Sequence, residues 1–270
     1  MLDLEFAEFS DTGPSRDQNE DYCGSYQPAT PEEAEARGWC FAVADGVGGQ
    51  AGGEIASRIA IETLLTGLPS ISSSEALTVA LPRLIQRANQ RVFEAAGSGL
   101  PAGSIATTIV ACAIRYDRAV VAHVGDSRAY LIRRGRVTGL TRDHTIANEQ
   151  LGRGILSARQ AAAATTANLL SRSLGNEMFV SVDTGDHLLI PGDTLLLCSD
   201  GLHRSVAPAD MTGILSPSVE LESAAAELVA LANARDGSDN VSVQLIRIRA
   251  VESVGMYRGR LYKLPKMPIP

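Results

Sequence analysis

Four aspartates stand at strand ends, flanked by glycine: Asp45 in FAVADGVGG, Asp126 in AHVGDSRAYL, Asp200 in LLLCSDGL and Asp239 in RDGSDNVSV. Glu20-Asp21 closes a further polar segment, SDTGPSRDQNED. Taken singly, an Asp-Gly pair is ordinary turn chemistry. Repeated at the ends of several strands it points further, because glycine lets the backbone come close to whatever a neighbouring carboxylate holds. Hard divalent cations such as Mg2+ and Mn2+ take carboxylate, carbonyl and water oxygens. With no His-x-x-x-His and no Cys-x-x-Cys in the chain, an all-oxygen cluster is the metal chemistry these residues suit.

The other reactive residue types fit quieter roles. GVGGQAGG lacks the Lys-Ser/Thr of a nucleotide P-loop and is not G-x-G-x-x-G followed by a distant acid. Cys23, Cys40, Cys112 and Cys198 are scattered, against both a thiolate zinc site and a disulfide framework. Cys198 ends the apolar run LLLC and is followed by Ser-Asp-Gly, so it reads as core. His123 and His144 read as packing or hydrogen-bonding residues, His187 as an exposed loop residue, and Arg133-Arg134-Gly135-Arg136 as a solvated hairpin.

Strands and helices must bring the acids together. Residues 4–9, 39–44, 107–114, 118–124, 127–133, 179–183, 194–198 and 241–248 read as strands. Turns are expected at Gly125-Asp126 and at Arg134-Gly135. Amphipathic spacing predicts helices over 52–65, 75–96 and 219–234, and an alanine-rich helical stretch lies within 146–173. Helices grouped together, then hairpins, do not read as a βαβα repeat, so an α+β fold on antiparallel sheets is expected. The pattern ends near residue 250. Residues 1–250 then form one domain and 251–270 a basic, proline-ended extension.

Composition agrees with a soluble globular protein. The chain has 270 residues, 45% apolar and 20% charged, with a net charge of −7. That length suits a substantial core, and the acidic body argues against a nucleic-acid partner. The only lysines are Lys263 and Lys266, in the extension. No apolar run reaches the roughly 20 residues that cross a bilayer, and residues 1–20 lack a basic leader. A cytoplasmic protein without a membrane partner is expected.

In order along the chain, SDTGPSRDQNED, ADGVGGQAGGEIAS, HVGDSRAYLI, LTRDHT, SRSLG, GDTLLLCSDGL and DGSDNVSV resemble the type 2C, metal-dependent protein serine/threonine phosphatases, in their compact bacterial branch. The resemblance runs from about Ser10 to Ile248. It implies a four-layer α-β-β-α sandwich of two antiparallel sheets flanked by helices, with a flap subdomain over 146–173 hinged at Gly152 and Gly154. It also implies hydrolysis of phosphoserine and phosphothreonine on proteins by a metal-bridged water attacking phosphorus directly, without a phospho-enzyme. Such an enzyme reverses a serine/threonine kinase in bacterial signalling and works as a monomer.

The resemblance further assigns roles to residues. Asp45 matches the carboxylate bridging two Mn2+ or Mg2+ ions, and the Gly46 carbonyl is a further ligand. Asp200 and Asp239 match the other ligands of the first ion, Glu20 and Asp21 the acids around the second, and Asp126 a ligand of a third. Arg16 matches the phosphate-gripping arginine. The chain departs from the pattern in one respect: some members carry a histidine in the glycine loop where Val47 or Gln50 stands here. Two other readings stay open, a binding module that has lost catalysis and a hydrolase of small phosphate esters. All three metal aspartates are present, against the first; the second shares the same site.

Overall fold

The computed structural model describes residues 2–47, 52–97, 105–252, 254–257 and 260–263. Gly48, Gly49, Gln50 and Ala51 of the glycine loop lie outside these. In chain order the elements are β1 (Asp3–Asp11), β2 (Asp21–Tyr26), α1 (Pro31–Ala36), β3 (Trp39–Val47), α2 (Gly53–Gly67), α3 (Leu77–Ala96), β4 (Ala106–Thr107), β5 (Ile109–Arg115) and β6 (Arg118–Val124). They continue with β7 (Arg128–Arg133), β8 (Arg136–Gly139), α4 (Ile146–Gly152), α5 (Ala158–Ala162), β9 (Asp183–Leu188), β10 (Thr194–Cys198), α6 (Asp200–His203), α7 (Pro208–Ile214), α8 (Leu221–Arg235), β11 (Val241–Ala250), β12 (Val254–Tyr257) and β13 (Arg260–Lys263).

Two antiparallel sheets form the body. One has the order β1-β11-β10-β7-β8, the other β2-β3-β5-β6-β9 with β4 beside β3. Period-two alternation sorts each inner strand between two cores. On β3, Phe41 and Val43 face the other sheet and meet Leu195, Leu197, Ile246 and Ile248. The alternate residues Cys40, Ala42 and Ala44 face α2 and α3, and their small size lets Ile61, Leu64, Leu81 and Ile85 pack close. Leu196, Cys198, Val243 and Leu245 bury the opposite face of the first sheet under α8, against Leu221, Leu228 and Val229. Three cores in register give four layers, α-β-β-α, as expected.

Several sequence expectations change. Gly125-Asp126 is not a hairpin turn: β6 pairs with β5 and β9, whereas β7 pairs with β10 and β8. The chain therefore crosses between sheets there, a choice set by long-range pairing and invisible in a turn-forming dipeptide. Arg134-Gly135 is the predicted hairpin turn, with both residues at positive φ. The stretch 146–173 holds two short helices, the first ending at Gly152 and the second capped by Ser157.

Residues 179–182 are not a strand. The backbone over 177–180 is held by amide side chains of α3, with Gln86 Nε2 donating to the Met178 carbonyl at 2.8 Å and Val180 N–H donating to Gln86 Oε1 at 3.1 Å. Asn89 Nδ2 donates to the Glu177 carbonyl at 2.9 Å. The strand starts at Asp183 instead, which puts His187 inside β9 and half-buried. The extension contains a hairpin of its own, β12 with β13.

Candidate metal centre

One end of the sandwich gathers the acids. Asp21 opens β2 and Asp45 lies near the end of β3, directly opposite it in register. Like charges facing across a ladder oppose folding, so this pair is kept against stability. Asp200 follows β10 and Asp239 precedes β11; those strands are antiparallel neighbours, and their ends therefore meet. Asp126 arrives on the crossover after β6. Glu20, Asp45, Asp126, Asp200 and Asp239 line one cleft of about 290 Å3, with Arg16, Gly46, Val47, Thr108 and Arg204. Asp21, only 7% exposed, lies behind them.

A frame of neutral side chains holds the backbone. Asn240 accepts from the Glu20 N–H at 2.8 Å and donates through Nδ2 to the Thr12 and Gln18 carbonyls, tying the N-terminal segment to β11. Asp45 N–H donates to Thr108 Oγ1 at 3.1 Å, and its carbonyl accepts from Thr107 Oγ1 and from Thr108 N–H. Ser199 Oγ donates to Asp21 Oδ2 at 2.7 Å. Gly125 sits at φ +105°, and a Cβ there would lie 2.6 Å from Thr108 Cβ. That glycine is required for the crossover to pass Thr108.

The carboxylates are short of partners. Asp21 Oδ1 and Asp200 Oδ1 are buried with no hydrogen bond. Burial first, then the charges of its neighbours, pushes Asp21 up to about 7 and Asp45 well above the carboxylate range. Asp126 is pushed up to about 7 by burial and by Asp200. Glu20 and Asp200 are raised chiefly by burial. Converging carboxylates with orphaned oxygens, in a site whose other donors are carbonyls and hydroxyls, fit hard divalent cations. They do not fit a soft metal.

The histidines lie to one side of this cluster. His123, His144 and Asp183 come within 4.8 Å of one another, but their atoms are already engaged. His144 Nδ1 accepts from Gly125 N–H at 3.1 Å, which places its proton on Nε2, 3.2 Å from Asp183 Oδ2. Arg172 supplies the cation, 2.8 Å from Asp183 Oδ1, and His123 Nε2 donates to the Arg142 carbonyl at 2.9 Å. Against the cost of burial, the bonds from Arg172 and His144 hold the Asp183 carboxyl below its ordinary value. The group braces the crossover carrying Asp126. It also fastens the far end of 146–173, since Ser171 N–H bonds the His144 carbonyl. From that segment Asn168 and Leu170 reach the cleft.

Sequence reasoning missed two contributors. Arg204, four residues after Asp200, places Nη2 2.6 Å from Asp200 Oδ2; the signal was the i,i+4 spacing on a short helix. Asn240 gave no signal, because an asparagine after Asp239 in a Gly-Ser-Asp-Asn run reads as turn chemistry. Cys198 is buried, its thiol pushed up to about 12 by burial, as its core assignment requires.

Comparison with known proteins agrees with the geometry. The family model described as Protein phosphatase 2C matches residues 16–236. A serine/threonine phosphatase of Listeria innocua is 34% identical over 244 residues, covering 89% of this chain and 94% of that protein. The Streptococcus agalactiae serine/threonine phosphatase superposes with a TM-score of 0.82 at 32% identity, covering 91% of this chain and 100% of the other. The catalytic domain of the phosphatase PstP, solved in complex with 2 manganese ions, gives 0.77 at 29% identity, covering 92% and 100%.

Proposed function

The chain belongs to the protein phosphatase 2C family, the metal-dependent protein serine/threonine phosphatases, and on that premise we propose how its own residues divide the work of removing phosphate from phosphoserine and phosphothreonine. The observation that carries the reading is the convergence of five acidic side chains on one cleft with an arginine at its mouth. Two buried carboxylate oxygens there lack any partner.

Asp45 would be shared by two divalent cations, with the Gly46 carbonyl a further ligand; Asp200 and Asp239 would complete the hold on the first, Glu20 and Asp21 on the second. Asp126, with Asp200, serves a third. Bound there, Mn2+ or Mg2+ supplies charge neutralisation and acidifies water for direct attack on phosphorus, with no phospho-enzyme. Manganese in the related PstP domain supports that choice.

Arg16 binds and orients the phosphate. Its guanidinium is 44% exposed at the cleft mouth, 2.8 Å from Asp239, and a planar fork suits two phosphate oxygens. The segment 146–173 borders the cleft as a flap, through Asn168 and Leu170. The acidic body and a chain in which no described helix is long and apolar enough to cross a membrane suit phosphoproteins in the cytoplasm. Those substrates are the products of a serine/threonine kinase. Residues 251–270 are an extension of a domain that ends with β11.

The test is release of phosphate from a phosphothreonine peptide and from free phosphoserine, with Mn2+ and then with EDTA. Hydrolysis of the peptide that chelation abolishes and Mn2+ restores is expected. Full activity in chelator breaks the metal assignment, and activity confined to free phosphoserine moves the enzyme to small esters.

A further inference from the structure

Arg204 is the unassigned charged group of the cleft. It extends from the end of α6, and its guanidinium reaches two proposed metal ligands at once: Nη2 lies 2.6 Å from Asp200 Oδ2 and Nη1 3.5 Å from Asp239 Oδ2. The other oxygen of Asp239 faces Arg16 at 2.8 Å and accepts from the Asn240 N–H at 3.0 Å. Both Asp239 oxygens therefore already face cationic nitrogen. Asp200 differs, since its Oδ1 is buried and unpartnered. The Arg204 side chain is 29% exposed and lines the same cleft. It is held on one edge and open to movement on the other.

We propose that Arg204 is a built-in counter-cation for the Asp200–Asp239 pair, which holds these carboxylates when no metal is bound and competes with a divalent cation for Asp239. The inference rests on the reading of this pair as metal ligands. In the metal-free protein a positive charge between two aspartates offsets their repulsion and that of Asp126 nearby. Once a divalent cation uses Asp239, the same guanidinium becomes a like charge a few ångströms away. Its looser contact, to Asp239 Oδ2, is the one to yield. Arg204 thus keeps the empty cluster folded and lowers the affinity of the filled one, setting the metal concentration at which the site loads.

The test is calorimetric titration of the full-length, chelator-stripped protein with Mn2+, beside thermal unfolding in EDTA, for wild type, Arg204→Gln and Arg204→Lys. A cation and a divalent ion this close repel enough that Arg204→Gln should bind Mn2+ about tenfold more tightly, less so in high salt. The same variant should melt at a lower temperature than wild type in EDTA, and Arg204→Lys, which keeps the charge, should stay near wild type in both. A purely structural arginine would lower the melting temperature without tightening Mn2+. Unchanged or weaker Mn2+ binding by a folded Arg204→Gln overturns the proposal and leaves the metal reading intact. Failure of wild type to bind Mn2+ overturns the metal reading itself.

Discussion

The molecule buries aspartates in two opposite ways. Asp193, before β10, is fully buried and fully partnered. Its oxygens accept from Arg133 Nε and Nη2 at 2.7 and 2.6 Å, and Oδ2 also accepts from the Ile190 N–H at 2.8 Å. At the other end of the same strand the acids point at one another. Asp21 faces Asp45 across a ladder, and buried oxygens of Asp21 and Asp200 have no partner. Structural carboxylates here come with a dedicated fork of donors, whereas the cleft carboxylates are left needing cations. A buried acid is therefore a functional signal only when its partners are missing.

The sharpest break between the two regions is a pair of isosteric changes. Asp45→Asn should lower kcat on a phosphothreonine peptide on the order of 10^3-fold, since the charge proposed to hold two cations is lost. In EDTA it should melt about 2–4 °C higher, as a gain of ~1 kcal/mol does in a chain of this size. Asp193→Asn should do the reverse, costing about 3 kcal/mol because Arg133 keeps partial solvent access, and leaving kcat of the folded protein unchanged. Opposite signs in unfolding experiments support the division. The same sign for both would dissolve it.

A smaller effect concerns pH. Asp21 and Asp126 sit near 7 and Asp45 well above its ordinary value in the metal-free fold, against about 3.9 for an unfolded aspartate. Between those values the folded state holds more protons than the unfolded one. Stability is therefore fully present below about pH 4 and is lost as pH rises through about 7. In chelator the melting temperature should fall from pH 5 to pH 8, and saturating Mn2+ should remove the slope. A metal-free protein that gains stability over that range would show these acids to be paired like Asp193.

Much of the fold was legible because the helices over 53–67 and 77–96 and the strands over 39–47 and 241–250 carry clean periodicity. The acids were legible because Asp45, Asp126 and Asp200 close such runs and Asp239 stands just before one. What escaped was long-range pairing. The Gly125-Asp126 step changes sheets although its residues spell a turn, and 179–182 carry strand-like valines, but the backbone there and just before is held by α3: Val180 N–H by Gln86, the Glu177 carbonyl by Asn89. Arg204 escaped because one turn of helix leaves too little pattern to read. The glycine-loop position Gln50 lies outside the described residues, and Val47 is exposed.

That loop raises the finest test, the source of the proton for the departing alkoxide. A serine or threonine alkoxide leaves poorly without one, and Val47 has none to give. The histidine nearest in sequence to a proposed ligand is His203. Its Nε2 donates to the Asp126 carbonyl at 2.9 Å, and burial, then the charge of Arg128, pushes the ring down to about 4. It is neutral throughout the physiological range and already spends its proton on the backbone. Burial also lowers His123 and His144. With solvent in the cleft as the proposed donor, kcat on a phosphothreonine peptide should rise with pH and level off through pH 8. A histidine acid titrating near its ordinary value of about 6.5 would impose a falling limb. His203→Gln, which preserves an amide donor to the Asp126 carbonyl, should change kcat by no more than about twofold at any pH, where loss of a true general acid costs 10^2- to 10^4-fold. A bell-shaped wild-type profile that His203→Gln flattens would make this ring the acid, and the bond to Asp126 would then have to break during turnover.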